Sequence, residues 1–179
     1  MIEGELIPGA SYKYHFDERI DRQVIDRMVT LWNEVWAGIP DEALQKCRSY
    51  LRRIGCESRA ILVFFSRDDT SLRGFARSLR DDYVFAFKPQ VLGLFSDNNV
   101  KAMFSHELAH LYLKSQRDKY HVFPPINRQE MLECETNVDS CASWGFRIDE
   151  ARAEEAQLMS EYPGLFGQPI GMDTKQGEG

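Results

Sequence analysis

The sequence predicts an α+β fold, and three observations predict it. Apolar residues recur at helical period through the first third of the chain. They then condense into short runs between about residues 60 and 87, and return to helical period from about residue 97. Helices and strands therefore segregate along the chain rather than alternating, which separates α+β from α/β organisation. The length of 179 residues suits one domain and is enough to bury a core without disulfide staples. A chain that is 43% hydrophobic and 28% charged lies near the globular average, which excludes a disordered, collagen-like or coiled-coil protein.

Taken in order, residues 1–16 read as an irregular N-terminal arm containing Pro8-Gly9 and the aromatics Tyr12, Tyr14 and Phe16, and residues 17–162 as the single domain. From Asp17 to about Trp36 the residues Ile20, Val24, Ile25, Met28, Leu31, Trp32 and Val35 fall at three- and four-residue steps, one apolar stripe of a helix. Gly38 and Pro40 end it. A second helix is expected from Asp41 to Ile54, with Leu44, Cys47, Tyr50, Leu51 and Ile54 inward and Gly55 as its stop. The run Ala60-Ile61-Leu62-Val63-Phe64-Phe65 is β-branched and aromatic, the pattern of a buried strand. After the turn residues Asp68-Asp69-Thr70-Ser71, Leu72 to Leu79 and Asp82 to Phe87 supply two more strands, with Pro89 where a strand ends near a sheet edge. A small mixed or antiparallel sheet of about three strands follows, with helices flanking it.

Helical period resumes from about Asp97 to Gln116, with Asp97 or Asn98 as N-cap. Pro124-Pro125 interrupts it; Asn127 can cap a long helix to about Trp144, ended by Gly145, and Asp149 a short acidic helix to Glu161. Residues 163–179 carry five glycines and few apolar residues, a flexible tail.

Charge and cysteines narrow the function classes. Residues 46–80 hold nine bases against three acids, so +6 locally and, with a total of −6, −12 over the rest. No aromatic-basic RNA motif or recognition-helix signature accompanies these bases, so they read as a solvated surface and argue against nucleic acid as partner. Cys47, Cys56, Cys134 and Cys141 form no Cys-x-x-Cys pair, so a tetrathiolate zinc site has no support. No apolar run reaches the roughly 18 residues of a bilayer span. The segment Met1-Ile2-Glu3-Gly4-Glu5-Leu6-Ile7 lacks a basic start and an apolar stretch, so the expectation is a cytoplasmic protein with reduced thiols and no membrane partner. Nothing in the sequence points to a particular oligomeric state.

The chemistry concentrates in His106-Glu107-Leu108-Ala109-His110. Residues four apart on a helix lie one turn above each other on one face. Two imidazoles so placed can bind one Zn²⁺, and the glutamate between them can take a proton from zinc-bound water. Random placement of 4 His and 15 Glu yields this motif in roughly 1% of chains of this length. Here it also falls inside a periodic helix (Val100, Met103, Phe104, Leu108, Leu111) that follows a strand-like segment.

A catalytic zinc takes three protein ligands and keeps one open position. The metzincin pattern needs glycine and histidine three and six residues past the second histidine; Leu113 and Gln116 stand there, which excludes that class. Glu135 and Asp139, four apart in the next helical stretch, fit better. Glu135 can close the coordination sphere, and the aspartate one turn later can accept the free ring N–H of a ligating histidine. Glu130 and Glu133 are rivals, but residues 134 and 137 four positions on are Cys and Asn. Cys134 would be a ligand only in an inhibited form.

His106-Glu107-x-x-His110 followed by Glu135-x-x-x-Asp139-x-x-Ala142 resembles the gluzincin division of the zincin metallopeptidases. At these positions it looks like the CAAX-processing membrane proteases and is near the ImmA/IrrE-type intracellular peptidases. The resemblance covers about residues 60–145. It implies a zincin-like fold around an active-site helix, one Zn²⁺ on His106, His110 and Glu135, Glu107 as base, and Asp139 supporting one histidine. It also implies that the strand at about Asp82 to Lys88 is the sheet edge that pairs with an extended peptide. The membrane spans of the CAAX-processing proteases are missing, which argues against a membrane substrate. Val138-Asp139 stands where the ImmA/IrrE-type helix usually has Ala-Asn.

The expected activity is zinc-dependent endopeptidase cleavage of an intracellular protein, by Glu107-assisted attack of zinc-bound water. Zinc lowers the pKa of that water from 15.7 toward about 7, and Glu107 can later deliver the proton to the leaving amine. Tyr120 and His121, between the two site segments, are candidate donors to the oxyanion; Tyr112, on the metal helix itself, is expected to pack. The alternative expectations are a zincin-fold, zinc-binding regulatory protein without proteolysis, and a module whose basic segment binds an acidic partner with zinc structural. An intact Glu107 favours the peptidase, because a structural site needs no base.

Overall fold

A computed structural model describes residues 1–5, 13–55, 60–69, 76–79, 84–116, 136, 138–140, 144 and 146–164. Five strands form one mixed sheet: β1 (Ile2–Glu5), β2 (Lys13–Phe16), β3 (Ala60–Phe64), β4 (Ala76–Leu79) and β5 (Val84–Phe87). Their order is β1-β2-β3-β5-β4. The central pairs β2–β3 and β3–β5 are parallel; β1 and β4 run antiparallel to their neighbours at the two edges. The chain is thus mixed α+β, with a sheet larger than the sequence predicts.

The extra strands come from the segment read as an irregular arm. Tyr14 and Phe16 are buried while Lys13 and His15 are half-buried, the two-residue alternation of a strand with one covered face. Register then builds two rows across the sheet. Tyr14 pairs with Leu62 and Leu62 with Phe85; Phe16 pairs with Phe64 and Phe64 with Phe87. All six side chains are buried. Tyr14 and Phe16 therefore serve the core. The Tyr14 ring lies 6.0 Å from Phe16, and its hydroxyl accepts from Arg22 Nη2 at 2.9 Å. Gly4, opposite Tyr14, leaves the room this ring occupies; a Cβ there would collide with it.

Among the described residues four helices have full bounds, α1 (Arg22–Gly38), α2 (Asp41–Arg53), α4 (Asp97–Gln116) and α5 (Ile148–Glu161), with a single turn, α3 (Pro89–Leu92), after β5; α1, α2 and α5 all pack against α4. The first begins later than its apolar stripe suggests. Asp17 is engaged in a turn with the backbone and guanidinium of Arg19, and Asp21 caps α1 by accepting from Gln23 N at 2.8 Å. Gly55, at φ 69°, ends α2 in the left-handed conformation that glycine adopts without a Cβ clash. Ile54 is exposed rather than inward. Pro89 opens α3 instead of closing an edge, its fixed φ suiting the first helical position. Asp149 lies in the first turn of α5 and Arg147 is its N-cap residue. Of the expected helix 127–144, residues 136 and 138–140 are helical, Trp144 is a bend rather than helix, and the others lie outside the described residues, as do the start of the expected strand at 72–75 and most of the tail.

An aromatic cluster joins α1, β5 and α4. Trp32 lies 5.1 Å from Phe85 and 5.3 Å from Phe104, and Phe87 lies 4.8 Å from Phe104 between ring centres. Such tilted and edge-on pairs add about 0.5–1.5 kcal/mol each to the burial itself. Phe87→Ala is expected to cost about 3–5 kcal/mol, read as a lower denaturant midpoint, because the surrounding rings cannot collapse into the space. The start of α4 is pinned twice. Arg27 donates to Asp97 Oδ1 at 2.6 Å and to the Phe95 carbonyl at 3.0 Å. Glu154 of α5 accepts from Ser96 N at 3.2 Å and from Asn99 Nδ2, a carboxylate where the helix dipole favours one.

β5 is not the sheet edge that the resemblance implies. It lies between β3 and β4, and β4 forms that edge among the described residues. The β4–β5 hairpin places the later strand inside because β5 pairs in parallel with β3 and so takes the inner position. None of the described helices is long and apolar enough to cross a membrane.

Candidate metal centre

α4 is covered on more than one side. Val100, Phe104, Leu108 and Leu111 face the main core, and Ala109 and Leu113 face a second cluster with Val138. Its polar residues Ser105, His106 and Glu107 are consequently buried as well. A polar group buried without a partner costs about 1–3 kcal/mol, so the surroundings of these three are constrained.

His106 is 9% exposed, and its Nδ1 lies 2.7 Å from Asp139 Oδ1. Val138, seated against Ala109 and Leu113, fixes the helical residues 138–140 beside α4 and so brings Asp139 to this ring. Burial pulls the Asp139 carboxyl up, but the hydrogen bond from His106 and the charge of Arg152 outweigh it and hold the group below the usual carboxylate range. An ionised carboxylate only accepts hydrogen bonds. Nδ1 of His106 therefore donates to it, and whenever the ring is neutral Nε2 is the nitrogen with a lone pair to give. Arg152 of α5 donates to the same Oδ1 at 3.4 Å. No spacing rule in the sequence links residue 152 to the site, and the sequence reading missed it.

One turn on, the His110 ring stands 5.0 Å from that of His106, centre to centre, at 82°. Glu107 is 7% exposed, and its Oε2 has no hydrogen-bond partner among the described residues. A buried carboxylate oxygen left this way can accept from a proton donor such as a bound water. Two nearby imidazoles, one fixed in tautomer by a carboxylate, with an unsatisfied carboxylate between them in sequence, fit the donor chemistry of a zinc site. His106 and His110 would hold the ion.

Glu135, the proposed third ligand, lies outside the described residues, as do its rivals Glu130 and Glu133 and the oxyanion candidates Tyr120 and His121. Among the described residues no group of three or more His, Cys, Asp or Glu side chains gathers as a metal cage. Tyr112 packs edge-on against Trp144 at 5.6 Å, a core role. Cys47 is buried in α2, and burial pushes its thiol up to about 12, which makes it inert; Cys56, Cys134 and Cys141 lie outside the described residues. In the basic segment Lys46 pairs with Glu42 at 2.8 Å, Arg53 stacks over Tyr50 and Arg67 lies 3.5 Å from Asp68, so these bases have local partners. Comparison of the chain with protein-family models, with curated proteins and with solved structures returned no match.

Proposed function

We propose that this protein is a zinc-dependent endopeptidase acting on an intracellular protein, with His106, His110 and Glu135 as zinc ligands and Glu107 as general base. The observation that carries the reading is the Asp139 contact to His106 Nδ1. A carboxylate behind a histidine leaves the opposite nitrogen as donor and raises its basicity, the arrangement that recurs at histidine-ligated metals. Zinc bound there would supply a Lewis acid and an acidified water.

The chain's own residues account for the rest. Glu107, beside the histidines in sequence and with an oxygen that has no partner among the described residues, accepts the proton of the attacking water and returns it to the departing amine. Burial around α4 restricts solvent near this carboxylate. The edge strand β4 touches α4, so an extended peptide added to β4 would run alongside the helix that bears the site. A zinc-binding regulator would use the same histidines but leaves the unsatisfied Glu107 oxygen without a task, so the peptidase reading is preferred.

The test is incubation of the purified chain with a reduced, alkylated protein substrate. Expected are discrete cleavage products that vanish with 1,10-phenanthroline and return on adding Zn²⁺. A folded, zinc-loaded chain that leaves a broad set of unfolded proteins intact would count against the proposal.

A further inference from the structure

We propose that Arg152 is a positioning residue of the metal centre, acting through Asp139 on the ring of His106. The inference rests on the metal-site reading above and extends it to α5. Ala151 and Leu158 are buried and seat α5 against α4, and Glu154 ties the same helix to Ser96 and Asn99 at the start of α4. The register of α5 is thereby fixed, and it presents Arg152 to Asp139.

The guanidinium divides its two ends. Nη1 lies 3.6 Å from Glu155 Oε2 and Nη2 lies 3.4 Å from Asp139 Oδ1. That Oδ1 is the atom facing His106 Nδ1 at 2.7 Å. Four side chains thus form one array, Glu155–Arg152–Asp139–His106, running from α5 to the metal helix. A carboxylate bound by one hydrogen bond alone can swivel about its terminal torsion, which is broad and roughly two-fold. A second donor on the same oxygen narrows that rotation and holds Oδ1 on the imidazole. Arg152 is 48% solvent-exposed in its side chain. Ion pairs this exposed contribute little to stability, so the effect expected is on geometry at His106 rather than on folding.

The experiment uses the full chain, with Arg152→Ala, Arg152→Lys and, as a control on the same helix, Arg147→Ala, whose side chain pairs with Asp149 and Glu150. The first readout is the ¹⁵N-edited NMR signal of the His106 imidazole in metal-free protein. The parent should show an Nδ1–H tautomer with a downfield, slowly exchanging proton. Arg152→Ala should shift that proton upfield and speed its exchange; Arg152→Lys should restore it in part, and Arg147→Ala should leave it alone. The second readout is the Zn²⁺ dissociation constant by chelator competition. Arg152→Ala should raise it about three- to tenfold, less than the roughly 10–100-fold expected for the direct partner in Asp139→Asn.

Should Arg152→Ala fail to fold, Arg152→Gln keeps the stem and removes the charge, and is read the same way. An imidazole signal and a zinc constant unchanged by either variant, with Asp139→Asn altering both, would overturn the proposal while sparing the metal site. A parent that shows the imidazole signal but binds no Zn²⁺ would overturn the metal-site reading, and the NMR comparison would then decide the role of Arg152 alone.

Discussion

Replacing Glu107 with glutamine is expected to leave zinc bound and to lower peptide cleavage by about 10²–10⁴-fold, the contribution of a positioned general base. Glutamine keeps the shape and one acceptor oxygen of the side chain but cannot take a proton. The substitution also tests the orphaned Oε2. The amide still leaves a polar atom at that position, so if the oxygen serves catalysis rather than the fold the variant should unfold near the parent's denaturant midpoint. Cleavage at the parent's rate by Glu107→Gln would remove this residue from the chemistry.

The second large effect concerns the proposed third ligand. Glu135→Ala is expected to weaken zinc binding by more than the roughly 10–100-fold typical of outer partners, and cleavage should fall with it. Glu133→Ala should retain both. The four-residue sequence step from Glu135 to Asp139 distinguishes the two in the proposal, because on a helix it would put the proposed ligand and the histidine's partner on one face. Zinc lost on changing residue 133 and kept on changing residue 135 would show the assignment to be wrong. Chelator competition on the two purified variants reads this directly.

The helix that bears the site was the most legible element. Its expected span of residues 97–116 matches α4, although packing on several sides leaves its apolar residues without one sharp stripe. The partnership of Asp139 with a histidine ring nitrogen was also open to the sequence, through helical spacing. That the ring is His106 rather than His110 depends on how Val138 docks between Ala109 and Leu113, a tertiary fact no local pattern carries. Arg152 was hidden for the same reason: its contact with Asp139 exists because α5 folds back across α4.

The sheet was less legible. Tyr12, Tyr14 and Phe16 alternate as a strand does, yet β2 has four residues and finds its partner β3 across two helices, so its pairing is long-range. The edge was misassigned because β4 and β5 are neighbours in sequence and in space, and only the parallel pairing of β5 with β3 decides which lies outside. Local pattern fixes what each strand buries; strand order is set by contacts between distant segments.

Metal content of the purified chain, measured by elemental mass spectrometry after exposure to excess Zn²⁺ and exhaustive buffer exchange, probes the centre most directly. The parent should retain one zinc per chain, and a folded His106→Ala variant should retain none. A folded parent that keeps no zinc, or a His106→Ala variant that keeps as much as the parent, would contradict a metal centre on this helix.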